Sequence, residues 1–200
     1  MLVLIMAGGG GSRLNRGEKP LLEIAGRPMI SYVIDAFVAA GCEPVVVTTA
    51  RTPMTRNWCR ARDVTIHNAR GNGYIDDMVE AVKALDEEKP LFVSVSDLPC
   101  VTPEIILSVC NFYDISRKDA CSTWVPASSL PCRDYSMPYR EQVNGIEAFP
   151  AGLNILCGDR ISEEQDEAKL LLHDAGLAIN VNTPEDIARA EEYFRSICRE

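Results

Sequence analysis

The sequence predicts a three-layer α/β/α fold, in which helices cover both faces of a mostly parallel sheet. Short apolar runs rich in β-branched residues alternate along the chain with longer segments of helical periodicity. The composition, 46% hydrophobic and 24% charged residues, is ordinary for a globular protein. The 200 residues are most simply one domain, 1–200, large enough for a core that needs neither disulfides nor metal.

The predicted strands are short apolar runs between turn residues, and most of them are rich in valine and isoleucine. A stretch that contains several prolines, 127–150, is predicted to be irregular. In chain order, the strands are expected at 2–5, 45–50, 64–67, 91–95, 121–125, 152–156 and 177–181.

The predicted helices combine apolar residues at helical spacing with start and stop signals. Pro28 suits the first turn of one helix and Gly41 stops it. Thr102 is expected to cap another helix, and Ser162 with Gln165 is typical of a capping box. In chain order, the helices are expected at 28–40, 52–62, 75–85, 103–112, 162–173 and 184–197.

Charge and hydropathy exclude several classes of partner. The net charge of −9 argues against nucleic acid and against anionic membranes, whose binding needs an extended basic face. No apolar run approaches the roughly 20 residues that a membrane span requires. Because the chain enters a strand at once, we expect no signal peptide and a cytoplasmic location. The eight cysteines never follow a C-x-x-C spacing, so most are expected to be small buried hydrophobic residues.

The glycine-rich stretch 6–20, MAGGGGSRLNRGEKP, is the first candidate functional segment. Four consecutive glycines let the backbone turn sharply and approach a ligand closely. Successive backbone N–H groups in such a loop form an anion-binding concavity. Arg13, Arg16 and Lys19 add three cations within seven residues. The pattern indicates a polyphosphate-binding loop; the alternative is a flexible, solvated loop with incidental charges.

Two common phosphate-binding motifs are absent from this loop. Gly-Lys-[Ser/Thr] occurs nowhere in the chain, and the third glycine of G-x-G-x-x-G is replaced by Arg13. The segment resembles instead A-G-G-x-G-[ST]-R-[LM] followed by K-P, the signature of nucleotidyltransferases with a dinucleotide-fold-like core. This resemblance implies nucleotidyl transfer from a bound nucleoside triphosphate to a phosphorylated acceptor. The matching residues are Ala7, Gly8, Gly9, Gly10, Gly11, Ser12, Arg13, Leu14, Lys19 and Pro20.

Two further segments resemble metal-binding parts of the same superfamily. Residues 97–104 are similar to D-x-P-x-x-x-P-E, whose Asp, here Asp97, holds magnesium; carboxylates are ligands that Mg²⁺ prefers. Residues 180–186 resemble the N-x-N-T-P-E-D segment of molybdenum-cofactor guanylyltransferases, which makes Asn182 the candidate second ligand, with Asn180 as the open alternative. Asn180 and Asn182 are expected on one face of a strand. Both Asp97 and Asn182 remain open to a simpler interpretation as turn residues.

The segment 71–77 best distinguishes one group of nucleotidyltransferases from the others. It resembles the G-x-G-Y-x-[ED]-D motif of the stand-alone GTP:adenosylcobinamide-phosphate guanylyltransferases of cobalamin synthesis, and 150–154 is similar to their P-A-G-[IL]-N. A carboxylate or carbonyl here could accept hydrogen bonds from guanine N1–H and N2–H₂. Alternatively, Asp76 and Asp77 only offset the dipole of a helix. The family often has Lys where Gly10 stands, and Arg16 is a candidate substitute.

The resemblance implies transfer of GMP from GTP to adenosylcobinamide phosphate, a phosphorylated corrinoid, with Mg²⁺ as cofactor. Arg13, Lys19 and Asp97 are the expected catalytic residues, and Asp97 and Asn182 the expected metal ligands. Transfer to molybdopterin, 2-phospholactate or a sugar 1-phosphate stays open, as does a non-catalytic GTP-binding regulator. The expected nucleotide-binding residues are Ala7, Gly8, Gly9, Gly10, Gly11, Ser12, Arg13, Lys19, Gly71, Gly73, Tyr74, Asp76, Asp77, Asp97 and Gly152.

Overall fold

The computed structural model describes residues 1–9, 17–129 and 139–197. Within these residues there are ten strands, five α-helices and two short 3₁₀ turns, Lys19–Leu21 and Ala127–Ser129. The strands are β1 Leu2–Met6, β2 Glu23–Ile24, β3 Arg27–Pro28, β4 Glu43–Thr48, β5 Thr65–Asn68, β6 Pro90–Val95, β7 Ala120–Pro126, β8 Glu141–Val143, β9 Ile146–Cys157 and β10 Glu167–Leu171. The helices are α1 Met29–Ala39, α2 Pro53–Arg60, α3 Tyr74–Ala84, α4 Pro103–Ser116 and α5 Pro184–Ile197.

The main sheet has the strand order β10-β7-β9-β6-β1-β4-β5, and β8 extends β9 at one side. β1 is central and pairs in parallel with both β4 and β6, and β4 with β5 and β10 with β7 are also parallel pairs. β9 is antiparallel to its neighbours β6 and β7, and β2 and β3 form a separate small hairpin. The prediction of a mostly parallel sheet is therefore confirmed.

Side chains of β1 alternate between two separate cores, as the period of a strand requires. Val3 and Ile5 lie in the core formed with α1, α2 and α4, and both are fully buried. Leu4 and Met6 lie on the opposite face, in the core formed with α3. Because helices cover both faces of the central strands, the predicted α/β/α layering is confirmed.

The C-terminal helix α5 lies at the edge of this sandwich, over the β2–β3 hairpin. Phe194 stacks on Tyr32 of α1 with ring centroids 4.6 Å apart. Ile24, Met29 and Val181 are buried in the same cluster. This packing brings the segment before α5 back to the carboxyl end of β6. None of the helices within the described ranges is long and apolar enough to cross a membrane.

The predicted helix at 162–173 is wrong, because Glu167–Leu171 forms strand β10, which pairs in parallel with β7. Ser162 and Gln165 do not form a capping box there. The Gln165 side chain accepts a hydrogen bond from Cys157 N at 2.8 Å and donates to Cys157 O at 2.9 Å. Pairing with the sheet thus overrides the local helical pattern, as tertiary context commonly does.

Two other local predictions need correction. The predicted strand at 177–181 is irregular, although Leu177 and Val181 are buried, because its apolar residues fill the end of the sheet without pairing along a neighbouring strand. The stretch 127–150 is not irregular throughout, since it contains β8 and the start of β9. The antiparallel pairing of β9 with both β6 and β7 extends this strand well before the predicted 152–156.

Candidate active site

A cleft of about 390 Å³ opens at the carboxyl ends of β1, β4, β5 and β6, four strands that are adjacent in the sheet. In parallel α/β sheets this edge is the usual place for ligands. The cleft brings together nine residues that the sequence singled out from four separate segments. These are Gly8, Gly9, Lys19, Gly71, Gly73, Tyr74, Asp77, Asp97 and Asn182.

The glycine-rich loop begins tightly packed against the loop that follows β4. Ala7 is buried beneath the cleft, and its N–H donates to Val47 O at 2.8 Å. The Thr49 hydroxyl donates to Gly8 O at 2.9 Å, and a Cβ added to Gly8 would lie 2.5 Å from Thr49 Cγ2. A Cβ added to Gly9 would meet no atom within 4 Å among the described residues. Gly8 is therefore required for packing, whereas Gly9 faces open space in the cleft.

We expect Gly8→Ala to destabilise the protein by about 1–3 kcal/mol, because the new methyl group overlaps the Thr49 methyl. Thr49→Ser removes that methyl and keeps the hydroxyl, so the double variant should recover most of the loss. Urea unfolding of the single and double variants measures both effects. Gly9→Ala is the matched control and should leave unfolding unchanged; equal destabilisation by both alanines would contradict this account of Gly8.

The loop that precedes α3 is held by Asp77. Its Oδ1 accepts hydrogen bonds from Gly71 N at 2.8 Å and Asn72 N at 3.0 Å, and the residue is only 6% exposed. Gly71 has φ +82°, and a Cβ added to it would lie 3.6 Å from Thr49 Cβ. Gly73 has φ +134°, a conformation that favours glycine. Asp77 therefore shapes this wall of the cleft through the loop backbone.

The neighbouring predicted residues differ in position. Tyr74 lines the cleft with 44% of its surface exposed, and desolvation of its hydroxyl, together with the charge of Asp97, raises its pKa to about 12. The phenol therefore stays protonated at neutral pH and can donate a hydrogen bond. Asp76 is exposed and lies outside the cleft, in a second groove with Arg70 and Glu80.

Lys19 is the cation at the centre of the cleft. Its ammonium donates to Asp97 Oδ2 and, at 2.7 Å, to Asn182 Oδ1. Only 16% of the Lys19 side chain and 16% of the Asp97 side chain are exposed. The ammonium group of Lys19 thus joins the segments that contain Asp97 and Asn182, which are far apart in the sequence. Charge-assisted hydrogen bonds of this kind are among the stronger polar contacts in proteins.

Asn182 is fixed in place by the start of α5. Asp186 Oδ2 accepts from Asn182 N and Thr183 N, both at 2.9 Å, and Asp186 N donates to the Thr183 hydroxyl at 3.2 Å. Asn182 Nδ2 donates to Asn180 Oδ1 at 2.7 Å, so these two side chains meet even though the segment is not a strand. Val181 N also donates to Asp97 O at 3.0 Å. The oxygen of Asn182 is therefore oriented toward Lys19 and Asp97.

The same oxygens fit a divalent cation. Asp97 Oδ1 is buried and has no hydrogen-bond partner among the residues described here, which is costly for a carboxylate unless another group binds it. Asp97 Oδ2 and Asn182 Oδ1 already surround a positive charge. Carboxylate and amide oxygens are the hard ligands that Mg²⁺ prefers. The donor set and the orphaned oxygen thus suit the ion that the sequence predicted.

Not every predicted residue is in the cleft. Gly152 lies on β9 beside Val95, where an added Cβ would be 2.8 Å from Val95 Cγ2 and φ is +81°. Its glycine is explained by packing, and contact with nucleotide stays a prediction. The predicted loop residues Gly10, Gly11, Ser12, Arg13 and Arg16 lie outside the described residues.

Thr49 and Arg51 line or shape the cleft but were not predicted from the sequence. Both belong to the loop after β4, and Arg51 adds an exposed cation to the lining. The predicted strand at 45–50 placed Thr49 inside a strand, which hid this loop. The signal that could have found it is the adjacency of β4 to β1, since loops after adjacent parallel strands meet at one edge.

Two curated relatives cover most of the chain. It is 28% identical over 197 residues to the adenosylcobinamide-phosphate guanylyltransferase of Methanocaldococcus jannaschii, covering 96% of each chain. It is also 28% identical over 182 residues to the 2-phospho-L-lactate guanylyltransferase of Methanosphaerula palustris, covering 82% of this chain and 77% of that protein. Both relatives are nucleotidyltransferases.

The fold is shared with solved nucleotidyltransferase structures. A CMP:2-keto-3-deoxy-manno-octonic acid synthetase, solved with CTP, aligns with a TM-score of 0.70 at 16% identity, covering 98% of this chain and 97% of that one. The family described as the MobA-like NTP transferase domain matches residues 3–144, most of the chain. The described cleft lies largely within that match. The protein is therefore a nucleotidyltransferase and belongs to the MobA-like NTP transferase family.

Proposed function

We propose that this protein transfers GMP from GTP to the phosphate of adenosylcobinamide phosphate, releasing pyrophosphate and giving adenosylcobinamide-GDP. The observation that carries the proposal is the placement of Lys19 and Asp97 opposite the start of the glycine loop in one cleft. The near full-length similarity to an adenosylcobinamide-phosphate guanylyltransferase supports this acceptor.

The chemistry requires positioning and charge stabilisation, and no side-chain nucleophile. A phosphate oxygen of the acceptor attacks the α-phosphorus of GTP; a P–O bond forms there, and the bond to the β-phosphate oxygen breaks. Lys19 and Arg13 would stabilise the charge on the departing pyrophosphate. Tyr74, which stays protonated, can donate to a phosphate oxygen. Asp97 and Asn182 would hold Mg²⁺, which when bound supplies positive charge to the phosphate oxygens.

Guanine recognition is assigned to the wall that Asp77 shapes. We expect Asp77→Ala to weaken GTP binding about tenfold or more and to reduce the preference for GTP over ATP, because the Gly71 and Asn72 amides lose their charged acceptor. Asp76→Ala, next in sequence but outside the cleft, is the matched control. Titration calorimetry with GTP and with ATP gives both affinities. A preference that changes with Asp76 and not with Asp77 would overturn this assignment.

An acceptor panel with GTP tests the proposed function. Phosphorylated cobinamide, 2-phospholactate, molybdopterin and a sugar 1-phosphate are each incubated with GTP labelled at the α-phosphate, and pyrophosphate and labelled product are measured. Transfer to phosphorylated cobinamide alone is the expected result. Transfer to 2-phospholactate, the acceptor named in the second relative, would replace the acceptor and keep the reaction class. GTP binding without release of pyrophosphate from GTP in the presence of any of these acceptors would favour a non-catalytic regulator.

A further inference from the structure

Glu18, near the end of the glycine-rich stretch, contacts helix α2. Its Oε1 accepts a hydrogen bond from Met54 N at 2.7 Å, and its Oε2 accepts from Thr55 N and from the Thr55 hydroxyl, both at 2.6 Å. These donors lie in the first turn of α2. Both carboxylate oxygens therefore accept hydrogen bonds, and three bonds to residues 36 and 37 positions later in the sequence satisfy this half-buried charge.

The anchored residue immediately precedes Lys19. Glu18 O accepts from Leu21 N at 3.0 Å, which closes the 3₁₀ turn that begins at Lys19, and Pro20 within that turn is buried. The Lys19 backbone is thus held between the Glu18 anchor and buried Pro20. The ammonium group at the tip of the Lys19 side chain donates to Asp97 and Asn182.

A lysine side chain has four rotatable bonds, so its ammonium is positioned only if its backbone is fixed. Displacement of a reacting or charge-stabilising group by about 1 Å can cost on the order of 10²-fold in rate. The hydrogen bonds of Glu18 fix the backbone next to Lys19. They attach it to α2, the helix that follows strand β4.

We infer that Glu18 is a positioning residue for the transfer reaction: its carboxylate ties the end of the glycine loop to α2 and thereby sets Lys19 in the cleft. The expected effect on the reaction rate rests on the proposed function. The expected effect on the position of Lys19 does not depend on that function. A simple capping role for Glu18 in α2 would affect stability alone. The two roles differ in what happens to Lys19.

The structural test measures the accessibility of Lys19. Wild type, Glu18→Ala and Glu18→Gln are acetylated with an amine-reactive ester, and labelling of Lys19 is compared by mass spectrometry with labelling of exposed Lys83. The Lys19 to Lys83 ratio is expected to rise about tenfold in Glu18→Ala and by an intermediate factor in Glu18→Gln, which keeps an acceptor oxygen. Thr102→Ala is the control for loss of a helix cap, because it removes the bond of 3.4 Å from Ile105 N to the Thr102 hydroxyl at the start of α4 and leaves Glu18 intact.

The kinetic test uses the same variants and Thr55→Val, which keeps the shape of Thr55 and removes one bond to Glu18. kcat/KM for GTP is expected to fall on the order of 10²-fold in Glu18→Ala and about tenfold in Thr55→Val. Thr55→Val should cost nothing further in the Glu18→Ala background, because the bond is already absent. Thr102→Ala should lower the unfolding midpoint and leave kcat/KM unchanged.

The outcomes separate this inference from the proposed function. An active wild type whose Lys19 labelling and kcat/KM are unaffected by Glu18→Ala overturns the positioning role and keeps the function. A wild type inactive with every acceptor, but with Lys19 labelling that rises in Glu18→Ala, overturns the function and keeps the positioning role. Fully additive losses for Glu18→Ala and Thr55→Val would also count against the proposed tie.

Discussion

Asp97→Asn is expected to lower kcat by about 100-fold or more, while the dissociation constant of GTP changes by less than about threefold. Asparagine keeps the size of the side chain and an oxygen that can accept from Lys19, so the cleft keeps its shape. What is lost is the negative charge and the strong ligand at Oδ1, the oxygen that has no partner in the described structure. Their effect is greatest when charge develops on the departing pyrophosphate.

Steady-state kinetics and calorimetric titration of GTP, both in Mg²⁺, separate the two quantities. Asp35→Asn is a suitable control, because Asp35 is a carboxylate on α1 that pairs with Arg27 at the surface. Its kcat should match that of wild type. Parallel losses in turnover and in GTP affinity for Asp97→Asn would mean that Asp97 acts in ground-state binding, and the catalytic assignment would then be wrong.

The fold and the meeting of the glycine loop with Asp97 could be predicted because both follow from simple rules. Alternating buried strands and helices dictate a parallel sheet, and loops after its strands collect at one edge. Lys19 and Asp97 flank that edge from the loops after β1 and β6, which pair directly. This position at the edge of the sheet could be predicted without knowledge of how the side chains pack.

Other features depend on long-range contacts that no local pattern contains. Residues 167–171 carry a helical pattern but complete the sheet beside β7, and the Gln165 side chain closes the preceding turn. Residues 177–181 are as apolar as a strand and are buried at the end of the sheet without pairing. The hydrogen bonds by which Asp77 holds the Gly71 loop could not be predicted either. The N–H groups of Gly71 and Asn72 reach Asp77 only because the loop folds back onto α3.

The bridge from Lys19 to Asp97 and Asn182 was likewise absent from the sequence interpretation, which assigned Lys19 to phosphate and the other two residues to metal. In the structure the ammonium lies among the oxygens proposed for Mg²⁺. A lysine and a divalent cation would compete for those oxygens. We therefore propose that the metal affinity of the nucleotide-free protein depends on Lys19.

Lys19→Met is accordingly expected to have two opposite effects. Turnover should fall about 100-fold, because the charge that stabilises pyrophosphate is lost. Mn²⁺, as a spectroscopic substitute for Mg²⁺, should bind the nucleotide-free protein about tenfold more tightly, since Asp97 and Asn182 lose a competing charge-assisted partner. Electron paramagnetic resonance of free Mn²⁺ measures this affinity without any activity assay.

Lys83→Met controls for the change in net charge, because Lys83 is an exposed residue near the end of α3. It should leave both turnover and Mn²⁺ affinity as in wild type. The double variant Lys19→Met with Asp97→Asn should lose the gain in Mn²⁺ affinity, because the gain depends on the carboxylate that Lys19 releases. If Lys19→Met binds Mn²⁺ no better than wild type, the ammonium and the metal do not share these oxygens. The metal ligands would then have to be sought elsewhere in the cleft.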